Sequence, residues 1–314
     1  MTASVLAPGP QTTLQGGRRQ GYRHLGVPWS GAADPVSLSL ANKLVENPPE
    51  AIALELTFGG LHLRFDANAD VALTGAICDA DLTGTNLPFH ETIRIEAGQT
   101  LLISAPAKGL RTYLAIAGGW SARSMLGSSS TYMPAGLGGL DGRALQRGDG
   151  LEWGQTDRRP VPVATPAELR FPLQNSWALR ATPSAEFHWL NDRSQADLFE
   201  TTFKISHASN RMGLRLEGTT LEFTAQNEMK SVPVFPGTVQ CPSSGAPIAL
   251  LADGQTTGGY PRICNIIRAD RHLLGQIRPS DSIRLLLRTI TSAREDFMRK
   301  QKLLSKWIRY PLLY

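Results

Sequence analysis

At 314 residues the chain exceeds one average domain, so length predicts roughly two domains, each able to bury its own core, with a single large β domain as the alternative. Hydrophobic residues at 41% and charged residues at 19% make a globular balance and exclude a chain kept disordered by its charge. The net charge of +5 comes mostly from arginines spread along the chain, which excludes a nucleic-acid-binding stripe.

Residues 1–17 have no basic-then-apolar leader, and nowhere do about 18 apolar residues run uninterrupted, so a cytoplasmic protein with no membrane segment is expected. Three widely spaced cysteines, Cys78, Cys241 and Cys264, form no CxxC pair, which predicts free and mostly buried thiols.

In chain order, the first distinctive stretch is Gly26-Val-Pro-Trp-Ser-Gly-Ala-Ala-Asp-Pro35. Its small residues let backbone approach a ligand, and Asp34 before Pro35 reads as a helix N-cap. Val36, Leu40 and Leu44 then recur every four residues, predicting a helix to about Val45. Asp34 is either a cap alone or the entrance to an anion site at the helix N-terminus. Residues 52–58, Gly59-Gly60 and residues 61–65 read as a hairpin with a two-residue turn. Further strand signals fall at 71–73, 92–95, 100–104, 111–117, 214–216, 248–251, 263–267 and 282–287, so the chain is mainly β with a few helices. A short helix is expected after Asp270, carrying Leu273 and Leu274 and ending before Pro279. Ser292 and Glu295 have capping-box spacing and place the start of a last helix there.

The segments Leu145-Gln-Arg-Gly-Asp-Gly-Leu151 and Ile277-Arg-Pro-Ser-Asp-Ser-Ile283 share a turn with Asp before an apolar strand start, an echo that two related β modules would explain. Between them, residues 155–172 carry four prolines, the composition of an extended linker. The expected organisation is therefore an N-terminal β module over 1–155, a linker over 156–172, a second β module over 173–290 and a basic helix or tail over 291–314. In that tail Arg299, Lys300, Lys302, Lys306 and Arg309 interleave with apolar residues, as in a solvated helix that packs one face on the body or a partner, with binding to an anionic membrane surface as the alternative.

Several common mechanisms lack their residues. No GxxxxGK[ST] or GxSxG occurs, and Gly136-Leu-Gly-Gly-Leu-Asp141 has no strand-to-helix context for a dinucleotide loop. The six histidines never approach HxH or HExxH spacing, so no metal site is expected from them.

Two further stretches concentrate glycine and polar residues. In Ser209-Asn-Arg-Met-Gly-Leu-Arg-Leu-Glu-Gly218, Arg211 precedes an alternating strand and is either a bidentate clamp for a carboxylate or phosphate, or one half of an ion pair. In Pro247-Ile-Ala-Leu-Leu-Ala-Asp-Gly-Gln-Thr-Thr-Gly-Gly-Tyr-Pro261 an apolar strand runs into a turn where Asp253, Gln255, Thr256 and Thr257 cluster at a strand end. That cluster is either a site held by a rigid sheet or a polar turn.

These three stretches, with Ala53-Leu-Glu55, Ser128 to Tyr132, Gly136-Leu-Gly-Gly139 and Pro236-Gly-Thr-Val-Gln240, resemble the family of 5-oxoprolinase C subunits, KipA-like and allophanate hydrolase subunit 2-like proteins, the biotin-dependent carboxyltransferase domains, over roughly residues 15–290. The resemblance implies two cyclophilin-like β-barrel modules and two partners, a KipI-like B subunit and a LamB/YcsF-like A subunit. Its implied activity is the ATP-dependent opening of 5-oxo-L-proline to L-glutamate, with ATP and Mg²⁺ as cofactors. Carboxyl transfer from biotin in a urea-carboxylase-like reaction is the alternative, and a non-enzymatic regulator that binds a KipI-like partner is a third reading. The stretches and the resemblance together nominate Arg211, Asp253 and Gln255 as catalytic, with Asp253 also binding Mg²⁺ or orienting a proton. Ser30, Asp34, Glu55, Asn210, Thr257, Gly258, Gly259 and Tyr260 are nominated to bind substrate. The chain departs from the family at Gly254, where an arginine is usual, and at Val232, where an acidic residue is frequent.

Overall fold

Apolar residues alternate along the first strands, and that alternation gives each strand one face for a shared core and one for something else. In the computed structural model, which describes residues 1–156, 158–225 and 229–308, the chain divides into two units. Met1–Gln20, Ser30–Leu173 and residues 304–308 belong to the first; Gly21–Trp29 and Gln174–Leu303 belong to the second. The mainly β character is observed directly, with three α-helices among the described residues.

The first unit holds two sheets. A six-stranded sheet has the order Gly150–Glu152, Thr2–Pro8, Leu61–Phe65, Thr100–Ile103, Ala80–Leu82, Thr85–Asn86. A five-stranded sheet runs Gln11–Gln15, Ala53–Thr57, Arg111–Ile116, Ala69–Gly75, Thr92–Ile95. Every pairing in both is antiparallel. Leu54, Leu56, Leu63, Phe65, Val71, Leu73, Ile103 and Leu114 meet in one core, closed by the Phe65, Trp120 and Trp153 rings at centroid distances of 5.7–6.5 Å. The opposite face of the five-stranded sheet, with Ala53, Ala72, Tyr113 and Ala115, is covered by Leu38, Ala41 and Leu44 of helix α1 (Pro35–Leu44). Asp34 caps α1 as its sequence predicts, accepting from the amides of Val36 and Ser37.

The expected hairpin at 59–60 does not form. Ala53–Thr57 and Leu61–Phe65 lie in different sheets. A two-residue hairpin loop needs two left-handed residues, but here Phe58, Gly59 and Gly60 all have positive φ (64, 65 and 79°), and the third turns the chain out of the sheet. The turn is tight: a Cβ on Gly59 would lie 2.0 Å from the carbonyl oxygen of Ser104.

The second unit is a closed barrel with strand order Ser176–Pro183, Arg262–Ile266, Thr238–Gln240, Ile248–Leu250, Gly213–Glu217, Thr202–Ile205, Ser282–Leu287, sealed by a parallel pairing of the last to the first. Leu179, Phe203, Leu214, Val239, Ile263 and Leu285 are buried in this unit. Val232–Pro233 and Thr257–Gly258 form a separate two-stranded ribbon. Helix α2 (Asp192–Glu200) is capped by Asn191. The short helix after Asp270 is present as a 3₁₀ helix, Arg271–Gln276. Helix α3 (Ile290–Ser305) starts ahead of the Ser292 cap expected for it, because the Thr289 hydroxyl accepts the Ser292 amide at 3.1 Å. Arg309 in the basic tail lies outside the described residues.

The sequence echo has a common local geometry. Asp149 accepts the Gln146 amide and Asp281 the Arg278 amide, at 2.7 and 3.1 Å, each just ahead of a strand. From residue 158 onward the proline-rich stretch belongs to the first unit, with Val161 donating to Glu46, Ala164 bridging Glu91 and a 3₁₀ turn at Ala167–Leu169. Cys78, Cys241 and Cys264 are free thiols; burial pushes Cys241 up to about 12. Among the described residues no helix is long and apolar enough to cross a membrane.

Gly98 also has positive φ (88°) but open space around it, so Gly98→Ala should cost about 1 kcal/mol from backbone strain alone. Gly59→Ala adds a backbone collision and should cost clearly more in urea denaturation. Burial, then the nearby Arg170 charge, lowers buried His90 to about 4, while its Nδ1 lies 3.3 Å from Thr165 Oγ1. Folded His90 thus stays neutral while the unfolded chain takes up a proton below about pH 6.5, so this group's stabilisation is complete above pH 6.5 and is lost as pH falls toward 4. His90→Asn should flatten that decline, by at most about 3 kcal/mol, in denaturation measured across the range.

Candidate functional site

The nominated residues separate by unit. In the first, strand alternation puts Glu55 and Tyr113 directly opposite each other on the face that α1 covers. Glu55 Oε2 accepts the Tyr113 hydroxyl at 2.8 Å and the Ala33 amide at 2.9 Å, and Oε1 lies 3.2 Å from Arg111 Nε. Tyr113 Oη in turn accepts the Asp34 amide at 2.8 Å. Burial, reinforced by the Glu55 and Asp34 carboxylates, raises the Tyr113 phenol well above its ordinary range, so it remains a donor. Glu55 therefore anchors the 30–34 loop. Ser30 opens that loop with φ of 53°, and its buried hydroxyl has no hydrogen-bond partner. A strained residue with unmet bonding capacity is a functional candidate on physical grounds.

In the second unit Arg211 and Asp253 are 5% and 2% exposed and bind each other. Nε donates to Oδ2 at 2.7 Å and Nη2 to Oδ1 at 3.2 Å, while the Asp253 amide donates to the Arg211 carbonyl. Of the alternatives raised by the sequence the ion pair is present, though as a buried bidentate pair that staples two loops and not as a surface one. Both Asp253 oxygens face a guanidinium, so this carboxylate does not fit a Mg²⁺ ligand, and the described residues contain no group of three metal-ligating side chains. Asn210 fixes the neighbouring turn by accepting the Met212 amide at 2.8 Å.

Above this staple the 255–260 segment is held by Gln240, a residue that sequence reasoning does not nominate. Gln240 Oε1 accepts from Gln255 Nε2 at 2.9 Å, and its Nε2 donates to the Tyr260 carbonyl at 3.1 Å. A Cβ at Gly258 would lie 2.6 Å from that amide nitrogen and displace the Gln240 side chain, whereas one at Gly259 would meet only an ordinary 3.4 Å contact. Thr257 and Gly258 pair with Pro233 and Val232. Tyr260 is half exposed. At Gly254 a side chain would crowd the Met212 and Leu251 carbonyls at 2.9 and 3.0 Å, so the arginine usual in the family has no room without a backbone shift.

Arg23 also escapes sequence reasoning. Its guanidinium lies 4.8 Å from the Trp29 ring and 4.9 Å from Phe235, and Nη2 donates to the carbonyls of Val234 and Thr256. Nη1 is buried without a hydrogen-bond partner, and burial lowers this guanidinium from the usual arginine range. An arginine set over two adjoining aromatic rings, whose centroids are 5.7 Å apart, with a donor unspent is arranged to take an anion. Only its position three residues ahead of the Gly26 stretch hints at this, and nothing local separates it from Arg18 and Arg19.

Residues 25–287 match the family described as carboxyltransferase domain, subdomain A and B. The chain belongs to this family. It is 40% identical over 298 residues to the C subunit of 5-oxoprolinase from Escherichia coli strain K12, covering 94% of this chain and 95% of that protein. It is 30% identical to urea amidolyase of Lachancea kluyveri, over 93% of this chain but 17% of the relative. Among solved structures, the K. lactis urea amidolyase superposes on the whole chain with a TM-score of 0.91 at 27% identity, using 20% of its own length. The fold expected from the resemblance is thus that of the carboxyltransferase domains.

Removing one partner of the Arg211–Asp253 pair leaves a buried charge unanswered. Arg211→Met and Asp253→Leu should each destabilise by about 3–5 kcal/mol in denaturant titrations, and the double variant by much less than their sum. Additive losses would mean the two side chains act independently.

Proposed function

We propose that the chain is the C subunit of an ATP-dependent 5-oxoprolinase that converts 5-oxo-L-proline to L-glutamate, working with a KipI-like B subunit and a LamB/YcsF-like A subunit. The observation that carries this reading is the nearly end-to-end match to a free-standing C subunit, against a match to about a sixth of urea amidolyase. ATP supplies phosphorylation of the lactam oxygen, which turns a resonance-stabilised amide into a group water can attack. The residues of this chain bind and orient. Arg23 takes the substrate carboxylate through Nη1, while the Thr257 hydroxyl, the Gly258-Gly259 backbone and the Tyr260 side chain hold oxygens. Gln240 and Gln255 keep that segment in place, and Arg211–Asp253 fixes the loops beneath. The buried Ser30 hydroxyl is a separate candidate in the first unit. The cytoplasm is the proposed compartment, since ATP and glutamate chemistry belong there.

A second reading is favoured by the family match itself: transfer of a carboxyl group from biotin to an amide nitrogen, with the biotin carrier on another chain. A regulator that sequesters a KipI-like partner without turnover is the third.

Reconstitution with the two partner subunits separates them. ADP release should rise on adding 5-oxoproline, stay indifferent to avidin, and show a KM for 5-oxoproline raised about 10- to 100-fold in Arg23→Ala, the loss of one charge-assisted hydrogen-bonded anion contact. Turnover that 5-oxoproline does not stimulate sinks the proposal; avidin-sensitive carboxylation of an amide would install the second reading.

A further inference from the structure

Two turns of this chain repeat each other bond for bond. In the first unit the Gly148 amide donates to the Val5 carbonyl at 2.8 Å, the Val5 amide to the Asp149 carbonyl at 2.9 Å, and the Asp149 amide to the Gln146 carbonyl at 3.2 Å. In the second unit the Ser280 amide donates to Ile205 at 2.8 Å, Ile205 to Asp281 at 2.9 Å, and Asp281 to Arg278 at 3.2 Å. Gly148 and Ser280 are therefore equivalent positions, and both are left-handed, with φ of 92 and 71°. Glycine adopts that backbone freely, whereas serine adopts it under strain.

The strain coincides with a second difference between the copies. Two residues beyond Val5 the chain has Ala7; two residues beyond Ile205 it has His207. His207 Nε2 lies 2.9 Å from Ser280 Oγ. The second copy thus brings a hydroxyl and an imidazole into contact where the first has neither side chain. Closing the turn does not call for them, because the first copy closes with the same backbone bonds and no side chain at that position.

Both members of the pair are exposed, so a small molecule reaches them. The other polar groups nearby are committed to the backbone or the interior. Ser206 Oγ accepts the Ala208 amide at 3.3 Å and Ser209 Oγ the Arg215 amide at 3.0 Å. Asp281, 4% exposed, is turned inward onto the Trp177 indole N–H at 2.8 Å and the Arg278 amide at 3.1 Å. Among the described residues the His207 amide donates to no protein acceptor, which leaves a main-chain donor on the same residue for the oxygen of a reacting carbonyl.

We infer that Ser280 is a nucleophile activated by His207, and that it takes acyl groups from small activated esters. With the ring proton on Nδ1, Nε2 accepts the hydroxyl proton as Oγ attacks the carbonyl carbon. The bond from that carbon to the leaving oxygen breaks, and the leaving group departs with the bonding electrons and takes up the proton. Water, deprotonated by the same imidazole, then cleaves the acyl-serine, releasing the free acid and restoring the hydroxyl. Neither step needs a cofactor. None of these residues belongs to the candidate site above, so the inference stands whichever reaction that site serves.

Incubation of the full-length chain with p-nitrophenyl acetate is the test. p-Nitrophenolate should appear in a stoichiometric burst, and mass spectrometry should find the acetyl group on the peptide that carries Ser280. Ser280→Gly, which installs the residue of the other turn, should abolish the burst while the melting temperature holds or rises. His207→Ala, at an exposed position, should slow acetylation of Ser280 about 100-fold and leave folding unchanged. Gly148→Ser, where a Cβ meets nothing within 4 Å, supplies a left-handed serine without a histidine and should gain no acetyl group. The inference is overturned if Ser280 stays unlabelled, if the burst survives Ser280→Gly, or if His207→Ala is acetylated at Ser280 as fast as the unaltered chain.

Discussion

A guanidinium and a carboxylate taken out of water must find each other or impose a penalty of several kcal/mol, and Arg211 and Asp253 do so at the base of the second unit's loops. The pair is more than neutralisation. Its bidentate geometry is accompanied by a backbone bond between the same two residues, so the 210–213 turn and the 251–254 turn move only together. Everything above them, from Gln255 to Tyr260, begins from that fixed origin. The first unit solves a similar problem with Glu55, which answers Arg111, Tyr113 and the Ala33 amide at once and thereby fixes the entry to α1.

Once those charges are spent on one another, the site's capacity for an anion has to come from elsewhere. Arg23 has the complementary character: half-buried, flanked by Trp29 and Phe235, bonded to two carbonyls rather than to a carboxylate, and with one nitrogen unsatisfied. Carbonyl partners orient a guanidinium without cancelling its charge. That is the physical difference between an arginine that builds a loop and one that serves a ligand.

The α1 cap is legible in the sequence because Asp-Pro followed by four-residue spacing is a local signal with a local cause. Strand positions are legible for the same reason. The 59–60 turn misleads because its two glycines satisfy the hairpin rule, and the deciding fact is a third left-handed residue, Phe58, which no propensity announces. Composition points to Arg211 and Asp253 but not to their relation, since an arginine in a polar loop looks alike whether its partner is a ligand or a residue 42 positions away. Gln240 and Arg23 are long-range contributors to the 255–260 segment, and neither carries a mark of that contact in its own neighbourhood.

The bonds around the site are graded in strength. Beneath, an ion pair buried on both sides would cost several kcal/mol to open. Above it the Gln240–Gln255 and Gln240–Tyr260 contacts are neutral amide hydrogen bonds, each contributing on the order of 1 kcal/mol and replaceable by water or substrate. Tyr260 and Phe235, at the rim, are about half exposed. A loop so constructed keeps its origin while its tip adjusts, and only the tip carries the glycine whose missing Cβ lets Gln240 approach. Substitutions at the base should therefore appear first as lost folding, and substitutions at the tip as altered binding in a protein that still folds.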